Sequence, residues 1–133
     1  MNKNISSKKI FVVDKNNNKF QLFLDKILVA EAQYTIQKPD WLYNEEYLGL
    51  YKLGTKIQYR GKGYMKFLLK QIFDYTRNKF NINTILLNVY KSNVNALNLY
   101  KSLGFEIFKS FDDDEDEDPY FTLIIKLTNG NIT

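Results

Sequence analysis

With 133 residues, 44% of them hydrophobic and 16% aromatic, the chain is long enough for one domain whose core removes roughly two-thirds of the unfolded surface from water. It has no cysteine and no histidine, which excludes disulfides, thiol nucleophiles, imidazole bases and the usual zinc ligand sets, and leaves carboxylates, tyrosines, backbone and water for any chemistry. The formal charge of +4 conceals an asymmetry: Asp112 to Asp118 holds seven of the fifteen acidic residues, so 19 basic residues face eight acidic ones elsewhere, a balance that suits an anionic ligand and, less specifically, nucleic acid.

In chain order, Ile10 to Val13 reads as a first strand, Asn16-Asn17-Asn18 as a turn, Phe20 to Leu24 as a second strand and Ile27 to Ile36 as a third. Lys38-Pro39-Asp40 breaks this pattern, and residues 37–46 form a polar link in which Trp41 is expected as a core or wall aromatic. Tyr47 to Ile57 is rich in branched and aromatic residues and reads as a long strand. The glycine-containing stretch Gln58-Tyr59-Arg60-Gly61-Lys62-Gly63 follows it, and then a helix from Gly63 to about Lys79 with Tyr64, Phe67, Leu68, Ile72 and Tyr75 at helical spacing. Thr84 to Tyr90 is the next strand. Ser92 or Asn93 can cap a second helix and Gly104 can end it. Phe105 to Phe111 and Tyr120 to Leu127 then form a hairpin around the acidic run. A strand, a helix and another strand imply a right-handed crossover with parallel pairing and a ligand at the carboxyl ends of those strands.

The glycine stretch is the most informative feature. A helix N-terminus leaves four N–H groups unpaired and carries the positive end of the helix dipole, so main chain alone can hold an anion there. Gly61 and Gly63 lack the Cβ that would block a diphosphate and tolerate the dihedrals that make successive N–H groups converge. Other phosphate loops are excluded by spelling. A P-loop needs Ser or Thr after its lysine, and Gly63 follows Lys62; a dinucleotide fingerprint needs a third glycine where Lys66 stands.

The segment Gln58 to Gly63 resembles the Gln/Arg-x-x-Gly-x-Gly/Ala signature of the GNAT superfamily, the acyl-CoA-dependent N-acyltransferases. A second match lies downstream. Leu87-Asn88-Val89 as a strand, then Asn93, Ala96, Leu99-Tyr100 and Leu103-Gly104-Phe105, resembles the family's Asn-x-x-Ala-x-x-Leu-Tyr-x-x-x-Gly-Phe. The resemblance implies an α/β fold, a mixed and mostly antiparallel sheet with a parallel central strand pair and flanking helices, spanning residues 1–133 as one N-acetyltransferase domain and best supported over 47–127. Members usually carry two helices between their first two strands. Here only the asparagine turn fits between Val13 and Phe20, so that pair is expected to be missing, with the acceptor site open or completed by a second copy in a homodimer.

The family's activity implies acetyl-CoA as co-substrate, no metal, and transfer to a primary amine by direct attack in a ternary complex; the acceptor would be a small-molecule amine or a lysine-bearing peptide. By the same resemblance the pyrophosphate cradle comprises Arg60, Gly61, Lys62, Gly63, Tyr64 and Met65, with Gln58 bracing the loop, Leu53 and Thr55 meeting the pantetheine arm through main chain, and Asn93 contacting the cofactor or only capping its helix. Tyr100 matches the tyrosine that protonates the departing thiolate, a role suited to a phenol still protonated at neutral pH. Glu46, with Glu45 beside it, stands where some members carry a catalytic glutamate; Tyr47 and Tyr51 are alternatives by position. Asp112 to Asp118 is either a solvated loop or a lure for a polycationic acceptor. The rival reading is a non-catalytic module binding CoA, nucleic acid or a protein partner. No apolar run approaches the roughly 18 residues of a membrane span, and Met1 to Lys9 lacks a signal-peptide core; a soluble, cytoplasmic protein without membrane or specific nucleic-acid partners is expected.

Overall fold

Short runs rich in branched and aromatic residues form a sheet that dominates this molecule, seen in a computed structural model that describes residues 7–112 and 118–128. Seven strands form one sheet: β1 (Lys9–Asp14), β2 (Lys19–Leu24), β3 (Ile27–Gln37), β4 (Tyr47–Thr55), β5 (Thr84–Tyr90), β6 (Glu106–Phe111) and β7 (Tyr120–Lys126). The spatial order is β1-β2-β3-β4-β5-β7-β6, and every neighbouring pair is antiparallel except β4 with β5. Helix α1 (Tyr64–Tyr75) makes the crossover between that parallel pair, and α2 (Val94–Ser102) connects β5 to β6.

Strand periodicity sorts the side chains into two unequal layers. Phe20, Leu22, Ala32, Tyr34, Leu48, Leu50, Ile85, Leu87 and Leu123 project to one face, where they pack with Leu68, Leu69 and Ile72 of α1. Those three helix residues are fully buried, each contributing about 1.5–3 kcal/mol of transfer free energy. The opposite face carries only a small cluster of Tyr43, Tyr47 and Leu86, flanked by Leu42 and Ile124. β1 and β2 are joined by a turn at residues 15–18, stabilised by Asp14 accepting from the Asn17 backbone and side-chain amides, and no helical pair stands between them.

Several element limits differ from the sequence expectation for local reasons. The fourth strand ends at Thr55 rather than Ile57, because the Lys56 N–H donates to Val29 O and the chain enters a single 3-10 turn at Ile57–Tyr59. Regular α-helix ends at Tyr75, not Lys79; one wider π-helical turn, Thr76–Phe80, follows and closes on Asn81 at φ 57°. Trp41 is not a core or wall aromatic but is 78% exposed. Asp40 accepts from the N–H groups of Leu42 and Tyr43, and the turn so formed sends Leu42 and Tyr43 inward while Trp41 points out beneath the ammonium of Lys109. The β6–β7 hairpin forms as expected, but residues 113–117 of the acidic run lie outside the described residues.

A bulge in β4 positions the site. Gln33 pairs with Tyr51 and Glu31 with Gly54, which leaves one extra residue on β4, and Lys52 takes φ 52° to absorb it. Bulges bend and twist a strand. β4 pairs with β5 only from Leu48–Ile85 to Leu50–Leu87, and beyond that point the two parallel strands part.

Candidate active site

On the helix-covered face, the end of β4, the glycine loop and α2 enclose a cleft of about 610 Å3. Leu53, Thr55, Arg60, Gly61, Gly63, Tyr64, Met65, Asn93 and Tyr100 line it, together with Gly54, Tyr59, Lys66, Asn95, Ala96 and Leu99. Nine residues singled out from sequence are thus brought together. Three are not: Gln58, Lys62 and Glu46 are absent from its walls.

The loop geometry follows from its glycines. Gly61 and Gly63 adopt φ 76° and 84°, conformations costly for any residue with a Cβ, and a Cβ built on either would meet nothing within 4 Å. The space in front of them is therefore open cleft. Gly63 caps α1 without a side-chain hydrogen bond, and the first helical backbone bond is Phe67 N–H to Gly63 O. No described residue accepts from the N–H groups of Gly63, Tyr64, Met65 and Lys66, so four donors and the positive end of the helix dipole face the cleft, beside the cations Arg60 and Lys66. This arrangement fits a diphosphate. The loop is braced not by Gln58, which makes no side-chain hydrogen bond among the described residues, but by Arg60, whose Nε–H donates to Thr55 O at 2.9 Å.

Across the cleft, the Asn93 side chain accepts from Ala96 N–H at 3.3 Å, capping α2 and lining the wall at once. Tyr100, in the last turn of that helix, is 7% exposed, with its ring edge-on to Phe105 at 5.8 Å. No described residue hydrogen-bonds its hydroxyl. Burial pushes its pKa above the ordinary tyrosine value, so at neutral pH it is a protonated phenol at the cleft wall, a proton donor.

The opposite face holds a second cleft, of about 140 Å3, where β4 and β5 part. Thr35, Gln37, Leu42, Tyr47, Gly49, Leu50, Tyr51, Leu86, Leu87 and Asn88 line it. Asn88 also lines a neighbouring hollow with Val89, Tyr90 and Tyr120. Asn88 is the first β5 residue past the last β4 pair, and its Oδ1 accepts from Thr122 Oγ1 at 2.7 Å. Tyr47 donates to Asp40 Oδ2 at 2.8 Å; desolvation, then this bond to a carboxylate, pushes the Tyr47 pKa up to about 12. The same bond, with the Tyr43 and Leu42 amides, holds Asp40 below the usual carboxylate value. Glu46 is paired with Lys38 at 3.2 Å, and at the rise of an extended strand it stands roughly 23 Å along β4 from Leu53. The sequence reading did not single out Thr35, Gln37, Gly49 or Asn88; their signal is parity, since they alternate with the core positions of β3, β4 and β5.

A model described as the acetyltransferase (GNAT) family matches residues 4–105. No curated protein sequence matches the chain. Among solved structures, it is similar to the ribosomal-protein-S18-alanine N-acetyltransferase of Escherichia coli (20% identity, 89% of this chain and 70% of that one, TM-score 0.68). It is also similar to Naa50 of Arabidopsis thaliana in complex with the bisubstrate analogue CoA-Ac-MVNAL (21%, 83% and 73%, 0.67) and to the dodecameric spermidine N-acetyltransferase of Vibrio cholerae (17%, 86% and 67%, 0.70). At these identities the likeness is one of fold.

Proposed function

This chain belongs to the acetyltransferase (GNAT) family, and we propose that it transfers the acetyl group of acetyl-CoA to a primary amine by direct attack, with both substrates held at once. The observation that carries this reading is the joining of the two ends of one cleft: four unpaired amide donors at the α1 terminus and a protonated, buried phenol on α2. The first suits a diphosphate and the second suits a leaving thiolate. Solved relatives in complex with CoA or its bisubstrate analogue support the choice of donor.

In this reading the backbone N–H groups of Gly63, Tyr64, Met65 and Lys66 take the pyrophosphate, with Gly61 leaving room for it, and Arg60 holds the loop in shape through Thr55 O. Leu53 and Gly54, past the bulge and unpaired with β5, offer main chain to the pantetheine arm. Bound acetyl-CoA supplies an acyl carbon activated as a thioester. The amine nitrogen bonds to that carbon as the carbon–sulfur bond breaks; Tyr100 gives its phenolic proton to the departing thiolate, and the proton shed by the amine returns through water to the phenolate. Acetamide and free CoA thiol result, and the phenol is restored.

The test is thiol release from acetyl-CoA over a panel of amines, with Tyr100→Phe alongside. Deleting only the proton donor should lower kcat about 100-fold while leaving acetyl-CoA affinity within about twofold of wild type. Binding without turnover of any amine would favour the non-catalytic module instead.

A further inference from the structure

We infer that β1 pairs antiparallel with the β1 of a second copy of this chain, about a two-fold axis centred on Phe11, so that two sheets join at their open edges. The pairing is independent of the transferase reading. Backbone direction, apolar side chains and charge each select the same occupant in the same register.

The sheet ends at β1 on one side and at β6 on the other. The β6 edge is defended: its pairing with β7 shifts register between Ile107 and Lys109, and the Lys109 ammonium lies over the Trp41 and Phe108 rings. A bulge and a charge of this kind keep an edge from templating another strand. β1 has no such break. It pairs with β2 without a shift from Lys9–Leu24 to Asp14–Lys19, its interior is Ile10-Phe11-Val12-Val13, and no described strand lies beyond it. In an antiparallel strand the N–H and C=O of one residue point to the same side, and those of the next point to the other. Lys8 O accepts from Asp25 N–H at 2.8 Å, so the even-numbered residues face β2, and Lys9, Phe11 and Val13 present N–H and C=O to the open edge. Pairing centred on Phe11 sets Phe11 against its own mate and Lys9 against Val13 on either side, which satisfies all three.

The same register settles the side chains, because a two-fold axis normal to the sheet keeps like faces of the two copies together. Phe11 and Val13 pack against the main core, so Lys8, Ile10, Val12 and Asp14 belong to the bare face. There Ile10, 39% exposed, stands opposite Val12 of the second copy, and Lys8 stands opposite its Asp14. These are the closer, non-hydrogen-bonded positions of the ladder, where opposed side chains interact most. Asp14 is a carboxylate whose pKa is lowered, first by the Asn17 side-chain amide and then by backbone N–H groups. Lys19, its neighbour on β2, lies 4.0 Å from Glu31, so Lys8 of the second copy extends a row of alternating charge. On the helix-covered face Phe11, stacked on Phe20 at 6.0 Å, meets its mate and continues the core across the axis. Moving the register by two residues sets Ile10 against Asp14 or Lys8 against Val12.

The experiment is analytical ultracentrifugation of the full chain from about 1 to about 100 μM, a range over which mass action reveals the association. A species of twice 15.8 kDa is expected. Val13→Pro removes an N–H from the open edge alone and leaves the bonds to β2, so it should give a monomer with an unchanged circular-dichroism spectrum. Lys8→Glu and Asp14→Lys each set like charges against each other at both ends of a homodimer, and each should raise the dimer dissociation constant at least about tenfold. Mixed in equal amounts, these two variants form a heterodimer with opposite charges at both ends, and its dissociation constant should return to within about threefold of the wild-type value. Damage to the turn or to the fold would persist on mixing, so this recovery belongs to the register itself, and it decides the matter alone if Val13→Pro does not fold. A wild type that stays monomeric throughout, a dimer that survives in folded Val13→Pro, or a mixture no tighter than either variant by itself overturns the inference.

Discussion

The two clefts on either side of the β4–β5 parting are built by different means. The one under α1 and α2 is made of main chain whose direction is fixed by special residues: Gly61 and Gly63 at positive φ, and Asn93 capping α2. The one on the bare face is made of ordinary side chains at alternate strand positions, with Gly49 as its only conformationally unusual residue type. A cradle for a fixed chemical group needs backbone placed to within a fraction of an ångström, and few residue types allow it. A pocket for a variable partner needs only side chains of suitable size, and many serve.

The contrast can be broken most forcefully at the loop. Gly63→Asp puts a carboxylate into open space in front of the amide donors, at a backbone cost of about 1–2 kcal/mol for the positive φ that the fold should survive, while acetyl-CoA affinity falls at least about 100-fold, the effect of like charges brought together at several kcal/mol. Calorimetry with a matched circular-dichroism spectrum checks both halves, and a retained affinity would separate the loop from the donor.

On the other face, Gly49→Val should act on the acceptor only. A Cβ there meets Thr35 Oγ1 at 3.0 Å, which a rotation of the threonine relieves at about 1–3 kcal/mol, and the added methyls occupy the cleft. The amine KM should rise roughly tenfold while the KM for acetyl-CoA stays put; a parallel rise in both would mean that the two clefts are not separate sites.

The smallest effect concerns stability. Asp40, lowered chiefly by the Tyr47 hydroxyl, contributes stability that is present above the ordinary carboxylate value and is lost as pH falls through its folded value. Tyr47→Phe should therefore lower Tm at pH 7 and leave a smaller difference at pH 3. A constant difference across that range would assign the loss to packing in the Tyr43–Tyr47–Leu86 cluster rather than to the carboxylate.

The same contrast governs what the sequence discloses. A short run of branched and apolar residues marks β5 at its limits of Thr84 and Tyr90, and Asn93 and Gly104 mark both ends of α2, because capping and left-handed backbone restrict residue choice. The lack of helices between β1 and β2 is legible too, in the three asparagines that leave no length for them. The β4 bulge leaves no such mark: Lys52 holds φ 52° without being glycine or asparagine, imposed by the pairing of β3 with β4 rather than by local preference. Glu46 is drawn by position along the strand, and its ion pair with Lys38 before the start of β4 is a contact that position alone does not disclose. Asn88 and Thr122 meet only across β5 and β7, 34 residues apart, a contact that no window of sequence contains.

The central claim is that the α1 terminus holds the diphosphate of an acyl donor, and the most direct measurement is an amide-resolved NMR titration with acetyl-CoA. Large shifts at Gly61, Gly63, Tyr64, Met65 and Lys66, with little change at Gly49, are the predicted result. An unperturbed loop at saturating acetyl-CoA, or shifts centred on the bare face, would contradict it.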